Sequence, residues 1–384
     1  MPSPSATRPT PAPSGGAQPG LDIPIVTDPL VAINGVVSIS TPPQIAMSAS
    51  TDNEDEAAEE LAEWLAQNGV DHPFLVASVH GERLLRRITG VTGMVVAGRD
   101  ASQDWARSCR AAARDADAVV AIGGGRCLDA AKLVAAGVGV PFIAVPTQLS
   151  HDGICSPVSV LPRIAGGPPE SVEAVVSGLA FFSRPTLVRA PLESLRAGMG
   201  DLIANPLALG DWKLASDAGL ENVNEEAWEL SAESFRVIEP VLEEPLNREC
   251  VGLEVVGALA EALVMSGAAM TIVGTSRPAS GGEHKISHAI DELFGPRAHH
   301  GAQVAFASLV STALHGLDVG QLRRRLLNLG LPHHPGHLGL SRSDMVCVLL
   351  RAPSTRPGRF TILESAGLDD RTAGVLLRSL WPGL

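Results

Sequence analysis

The chain has 384 residues, 45% hydrophobic and 18% charged, enough for two cores and ordinary for a globular enzyme. Its formal net charge of −13 excludes a general nucleic-acid or anionic-membrane surface, though not a locally positive anion site. Five single cysteines, Cys109, Cys127, Cys155, Cys250 and Cys347, with no CxxC pair, suit reduced thiols in a cytoplasmic protein rather than a disulfide scaffold.

Residues 1–22, rich in Pro, Ser, Ala and Gly and without an apolar core, read as a disordered leader, not a signal peptide. Over residues 23–190 short apolar runs alternate with helical ones. Strands are predicted at 74–78, 94–97, 118–122 and 141–146, and helices at 82–87, 102–114 and 128–136. That alternation implies right-handed βαβ units and a mostly parallel sheet, an α/β nucleotide-binding domain. Beyond Leu192 the strand-like runs stop. Residues 191–384, rich in Ala, Leu and Glu, predict an all-helical second domain, with the ligand cleft between the two. The acidic stretch 221–244 reads as a solvated helical face. Residues 251–274 are apolar enough for a membrane span, yet Glu254 and Glu261 interrupt them and no aromatic flanks follow. They are expected to form a buried helix or helix pair, with no membrane span.

Chemistry concentrates in four places. Gly123-Gly124-Gly125 joins a predicted strand to a predicted helix, and such a turn lets backbone N–H groups approach a pyrophosphate. Asp129 and Lys132 follow one turn apart, serving either that ligand or a surface ion pair of small value. The loop 146–157 leaves a strand end, where open α/β sheets place ligands. It carries Thr147, Ser150, His151, Asp152 and Ser156, suited to binding hydroxyl groups or to ordinary turn chemistry. Asp201 is expected at the start of a helix, by default an N-cap or dipole partner. Finally, His284 and His288 share a helical face with Asp291 behind them, and His299-His300 opens another helix. Four of the chain's 11 histidines in one short window point to a metal. One Asp and two His would leave the open position a catalytic metal needs.

Taken in order, these motifs resemble a known family. Gly123-Gly124-Gly125 with Asp129 and Lys132 resembles the GGGxxxDxxK turn of the iron-containing alcohol dehydrogenase and dehydroquinate synthase-like superfamily. Ser150-His151-Asp152-Gly153 through Ser156-Pro157 is similar to the SHDGxxSP segment of sn-glycerol-1-phosphate dehydrogenases. So are residues 200–205, Asp211-Trp212-Lys213-Leu214-Ala215, residues 280–288, and 356–364, which resemble an RPxRYTILE stretch.

The resemblance implies an α/β N-terminal nucleotide-binding domain with a parallel sheet, then an all-helical C-terminal metal-binding domain. It implies a metal-dependent NAD(P)H-linked dehydrogenase that reduces dihydroxyacetone phosphate, a small phosphorylated carbonyl, to sn-glycerol 1-phosphate. Asp201, His284 and His300 would be the metal ligands. Gly123, Gly124 and Gly125 would lie under the cofactor pyrophosphate, with Asp129 and Lys132 near the nicotinamide and ribose. Thr147, Ser150, Asp152 and Ser156 would line the nicotinamide–substrate cleft. His288 would sit beside the metal, and Asp152 or His288 would pass the proton. A homo-oligomer in the cytoplasm is also expected.

Iron-using relatives carry a further His four residues after the Asp, where this chain has Asn205. Three ligands suit Zn²⁺ ahead of Fe²⁺ or Ni²⁺, and Asp rather than Glu favours the dehydrogenase branch over the synthases. Residues 78–82 lack an acidic residue at the usual ribose-reading place, which favours NADPH over NADH, with Glu82 nearby. Two positions depart from the family: Ala302 stands where it has Glu, and Phe360 where it often has Tyr. Alternatives are a dehydrogenase acting on another polyol or a phosphonate-type carbonyl, a dehydroquinate synthase-like sugar-phosphate cyclase, and a nucleotide binder without catalysis.

Overall fold

The computed structural model describes residues 31–33, 36–38, 44–98, 101–161, 170–174 and 177–383. The leader expected at 1–22 lies outside the described residues. An antiparallel pair, β1 (Val31–Ile33) and β2 (Val36–Ser38), comes first. Then follow β3 (Gln44–Met47), α1 (Glu54–Gln67), β4 (Pro73–Ala77), α2 (Glu82–Leu85), β5 (Gly93–Val96), α3 (Gln103–Cys109), β6 (Ala118–Gly123), α4 (Gly125–Val138) and β7 (Phe142–Pro146). A second antiparallel pair, β8 (Val158–Leu161) and β9 (Glu170–Glu173), precedes β10 (Ser177–Phe182).

Six strands form one parallel sheet in the order β3-β10-β7-β6-β4-β5. Strands β4, β6 and β7 are buried along their whole length, which is why each reads as an unbroken apolar run. One face packs Val120, Ile143 and Phe181 against Leu61 and Leu65 of α1. Through Val119 and Phe142 the other joins a continuous apolar core that reaches Leu259, Leu263 and Phe306 in the helical region. The sequence pattern missed β3 and β10. β3 has only four residues, and the pairing of both strands through β10 to β7 is a long-range contact that no local period encodes.

The remainder is helical: α5 (Arg184–Val188), α6 (Leu192–Leu202), α7 (Asn205–Asp217), α8 (Glu225–Leu242), α9 (Leu253–Val273), α10 (Gly282–Phe294), α11 (His300–Leu314), α12 (Val319–Leu329), α13 (Arg342–Thr355), α14 (Ile362–Ala366) and α15 (Asp370–Leu380). The apolar stretch is one helix, α9, not a pair. By length and composition it could cross a membrane, but 61% of its most apolar window is buried inside the protein. The acidic stretch is more than a solvated face. In α8, Ala227, Ser231, Ser234, Ile238 and Leu242 are buried, and Glu239 and Glu243 both reach Arg325 at 2.6 Å. Just before α8, Glu221 meets the buried Arg277 at 2.9 Å.

Candidate metal and cofactor site

The chain passes from β4 to its neighbour β5, then returns to β6 on the other side of β4. Strand order therefore reverses between β4 and β6, and the crevice beyond their carboxyl ends is where such sheets bind ligands. Gly123 ends β6 at that point and Gly124 is the N-cap of α4. No side chain caps α4 and its first turn carries no acid, so its leading N–H groups remain available to an anion. The glycines also admit the loop that follows β7. A Cβ on Gly124 would come within 2.2 Å of Gln148 Nε2, and one on Gly125 within 2.1 Å of His151 Nε2. Thr147 N donates to Gly123 O at 3.0 Å and closes the two strand ends together.

Asp129 and Lys132 do not lie on the surface. The Lys132 ammonium is fully buried, 3.4 Å from Asp129 Oδ1, and donates to the carbonyls of Gly153 and Val158. Asp129 Oδ2 accepts from Val160 N at 3.1 Å. The pair thus pins the polar loop and β8 to α4. Ser156, also buried, bonds inward to Val158 O at 3.2 Å, while Ser150 is half-buried beside His151.

Asp201, His284 and His300 come from three different helices, α6, α10 and α11. Among the described residues they are the one group of such donors lying within 4.8 Å of one another. Asp201 sits in the last turn of α6, not at a helix start as the sequence suggested. The short connection before Asn205 and Pro206 resembles an N-terminus locally, but α6 runs on through Leu202. Asp201 and His300 meet because α6 and α11 cross closely. A Cβ on Gly301 would stand 1.9 Å from Ala197 O, and one on Gly200 2.5 Å from Gly301 O. Only glycine permits that approach.

The donors face one another without bonding. His284 Nε2 and His300 Nε2 lie 3.6 and 3.9 Å from Asp201 Oδ1, which is buried and accepts no hydrogen bond. A buried, unsatisfied carboxylate oxygen facing two imidazole nitrogens fits a divalent cation. The surrounding residues orient the donors. Glu283, fully buried, accepts from His284 Nδ1 at 3.0 Å and from Gly281 N at 2.6 Å, leaving Nε2 free to face Asp201. Asp201 Oδ2 accepts from Asp152 N at 3.1 Å. Asp152 Oδ2 accepts from Ser266 Oγ at 2.8 Å, and Ser266 is held by Asn205 Nδ2 at 3.1 Å. Asn205 therefore supports the loop from a neighbouring position.

The charges are strongly coupled. Burial lowers His284, but Asp201 and Glu283 outweigh it and carry its pKa up to about 9. Burial raises Asp201, and the facing His284 and His300 overturn that and hold it at about 2. Desolvation and the Asp201 charge push Asp152 up to about 7. His300 falls to about 4 through desolvation, although 40% of its side chain is open to solvent. His288 stands beside the group, its ring 6.4 Å from that of His300. Desolvation takes it well below its ordinary value, helped by Arg356, His300, His284 and Arg359. Asp291 is occupied elsewhere: its Oδ1 accepts from Gln303 Nε2 at 2.9 Å. Ala302 is buried in the apolar core.

Sequence reasoning passed over two buried carboxylates. Glu283 was visible only as the residue before His284. Asp211, fully buried, accepts from Gly282 N at 2.6 Å, Ile362 N at 2.7 Å and His315 Nε2 at 3.0 Å, tying α10 to α14 and α11. Its partners lie 71 to 151 residues away, beyond any local pattern.

A parallel sheet with a glycine turn at its switch point, followed by helices that gather an Asp and two His, defines a dehydrogenase of the iron-containing alcohol dehydrogenase class. Residues 43–180 match that family, described as iron-containing alcohol dehydrogenase. The fold is shared with glycerol dehydrogenase from Schizosaccharomyces pombe, at TM-score 0.72 and 19% identity over 90% of each chain. It is shared too with a probable glycerol dehydrogenase from Sinorhizobium meliloti, at TM-score 0.71 and 21% identity, covering 88% of this chain and 96% of that one. The chain is 38% identical to the glycerol-1-phosphate dehydrogenase [NAD(P)+] of Hyperthermus butylicus, over 78% of this chain and 85% of that one. Identity is again 38% with the Cenarchaeum symbiosum enzyme of that name, over 67% of this chain and 71% of that one. The chain belongs to the glycerol-1-phosphate dehydrogenase family.

Proposed function

We propose that this protein reduces dihydroxyacetone phosphate to sn-glycerol 1-phosphate with NAD(P)H, using a metal held by Asp201, His284 and His300. The observation that carries the reading is the orphaned Asp201 Oδ1 facing both imidazoles. In this reading residues 23–190 bind the cofactor, with Gly123 to Gly125 under its pyrophosphate, and residues 191–384 hold metal and substrate. When bound, the metal supplies Lewis acidity at the substrate carbonyl oxygen and the nicotinamide supplies the hydride.

The chain's own residues do the rest. Glu283 fixes the tautomer and direction of His284. The Asp129–Lys132 pair holds the 152–160 segment, so that Asp152 stays against Asp201. Asp152, with a pKa near neutrality, can store a proton at its carboxyl and give it to the product oxygen. His288, kept neutral by burial and its cationic neighbours, would store no extra proton but could pass one by taking it at one ring nitrogen as the other gives one up. Three ligands from two element types, N and O, with an open position favour Zn²⁺, and the lack of an acid at the usual ribose-reading place within 78–82 favours NADPH, with Glu82 the residue that would serve NADH.

The test is oxidation of NADPH and NADH by dihydroxyacetone phosphate, before and after chelation and with Zn²⁺ restored. Metal-dependent oxidation is expected, lost with bound metal in His284→Ala. Full turnover and metal content in that variant would overturn the assignment.

A further inference from the structure

The RPGRF stretch after α13 is left without a task by the chemistry above, although the structure brings it beside the metal ligands. Lys285, next to His284, donates from Nζ to Arg359 O at 2.8 Å, and Thr355 Oγ1 donates to Lys285 O at 3.3 Å. Arg356 Nη1 donates to Ser276 Oγ and Ser280 Oγ, each at 2.9 Å. Arg359 Nη1 donates to the same Ser276 Oγ at 3.1 Å and to Ser280 O at 2.9 Å. Ser280 lies two residues before α10, the helix that carries His284 and His288.

Two guanidinium groups thus share one pair of serines, and neither makes an ion pair with a carboxylate among the described residues. Both side chains are only partly exposed. Glu283 offsets part of the charge on both and Glu221 part of that on Arg359, yet burial still holds both guanidinium groups below their ordinary pKa, with Arg356 and Arg277 adding to the effect at Arg359, so a bound anion would complete the neutralisation. Planar, multidentate donors are also the residues that match phosphate geometry.

We infer that Arg356 and Arg359, set by Ser276 and Ser280, form the subsite for the substrate's phosphate group. This rests on the reading that the substrate is a phosphorylated carbonyl, and it names the residues that select it. A phosphate there would anchor the substrate from the α10 side while its carbonyl lies toward Asp201, His284 and His300.

The test uses the metal-loaded full chain and two probes, dihydroxyacetone phosphate and inorganic phosphate. Arg356→Gln is expected to raise KM for dihydroxyacetone phosphate about 10- to 100-fold, the range for losing a charge-assisted bond. The inhibition constant of inorganic phosphate should rise by a similar factor, with KM for the nicotinamide and metal content as in the parent. Arg324→Gln removes the same charge from an exposed position on α12 and should change neither constant. Should Arg356→Gln not fold, Ser280→Ala keeps both charges but frees Arg356, and a several-fold rise in the same two constants is expected.

An unchanged KM and inhibition constant in a folded Arg356→Gln protein would overturn the subsite while leaving the reductase reading intact. A KM rise confined to NADPH would also overturn it, assigning the arginines to the cofactor. If the parent fails to reduce dihydroxyacetone phosphate, the reductase reading falls by itself. Calorimetric binding of inorganic phosphate to the parent, lost in Arg356→Gln, would then still support an anion subsite.

Discussion

The crossing of α6 and α11 offers a sharp test, because one methyl group should disturb both stability and the metal site. In Gly301→Ala the new Cβ would stand 1.9 Å from Ala197 O, 2.8 Å from Ala197 C and 3.0 Å from Asp201 N. Unstrained carbon–oxygen contacts begin at about 3.3 Å, so the helices must part by roughly 1.4 Å or the chain must distort. All three obstacles are backbone atoms, which cannot swing aside as a side-chain tip would. Overpacking of this kind costs about 1–3 kcal/mol. The displacement falls between Asp201 and His300, and an error of about 1 Å in a reacting constellation can cost 100-fold in rate. Thermal unfolding of the metal-free protein should show a Tm lowered by about 2–4 °C per kcal/mol. Zn²⁺ titration against a competing chelator should show weaker binding. Gly257→Ala is the counterpart. Gly257 lies inside α9 with nothing within 4 Å of its would-be Cβ, so the same substitution should stabilise by about 0.5–1 kcal/mol. A Gly301→Ala protein with parental Tm and metal affinity would refute the close-crossing argument.

Other expectations concern single side chains. Glu283→Gln keeps the size of a residue that holds His284 Nδ1 but removes its charge, and should weaken Zn²⁺ binding about 10- to 100-fold; parental affinity in a chelator competition would show that Glu283 does not orient the ligand. Lys132→Met removes one partner of a buried ion pair and the donor to Gly153 and Val158, which should cost about 3–5 kcal/mol. A urea unfolding midpoint unchanged from the parent would place that cation outside the fold's support. Among the thiols, burial pushes Cys127 and Cys155 up to about 12, whereas Cys250 and Cys347 are exposed. Brief alkylation at pH 8 followed by peptide mapping should find label at Cys250 and Cys347 and none at Cys127 or Cys155. Rapid labelling of either buried thiol in the native protein would contradict that burial.

Local patterns in the chain determined a good deal. The unbroken apolar runs of β4, β6 and β7 follow from burial on both faces of a sheet, and the triple glycine marked the turn from β6 into α4, at the carboxyl edge of the sheet. The histidine spacing on α10 and the His299-His300 pair pointed to the place where the donors of Asp201, His284 and His300 come within 4.8 Å of one another, because helical period and motif are both written over a few residues. What lay between those segments was decided only by the tertiary structure. Strand β10 takes its place between β3 and β7 by pairing, and nothing in its six residues announces those partners. Asp129 and Lys132 repeat the spacing of an ordinary surface pair, and only the loop folded over α4 turns them into a buried tie. Asp201 became the end of a helix rather than the start of one. Its meeting with His300 depends on two glycines, Gly200 and Gly301, 101 residues apart and meaningful only where their backbones touch. Arg356 and Arg359 acquire a shared environment from serines about 80 residues upstream. Periodicity tells which face of an element is buried; which partner it is buried against depends on backbone approach across the whole fold.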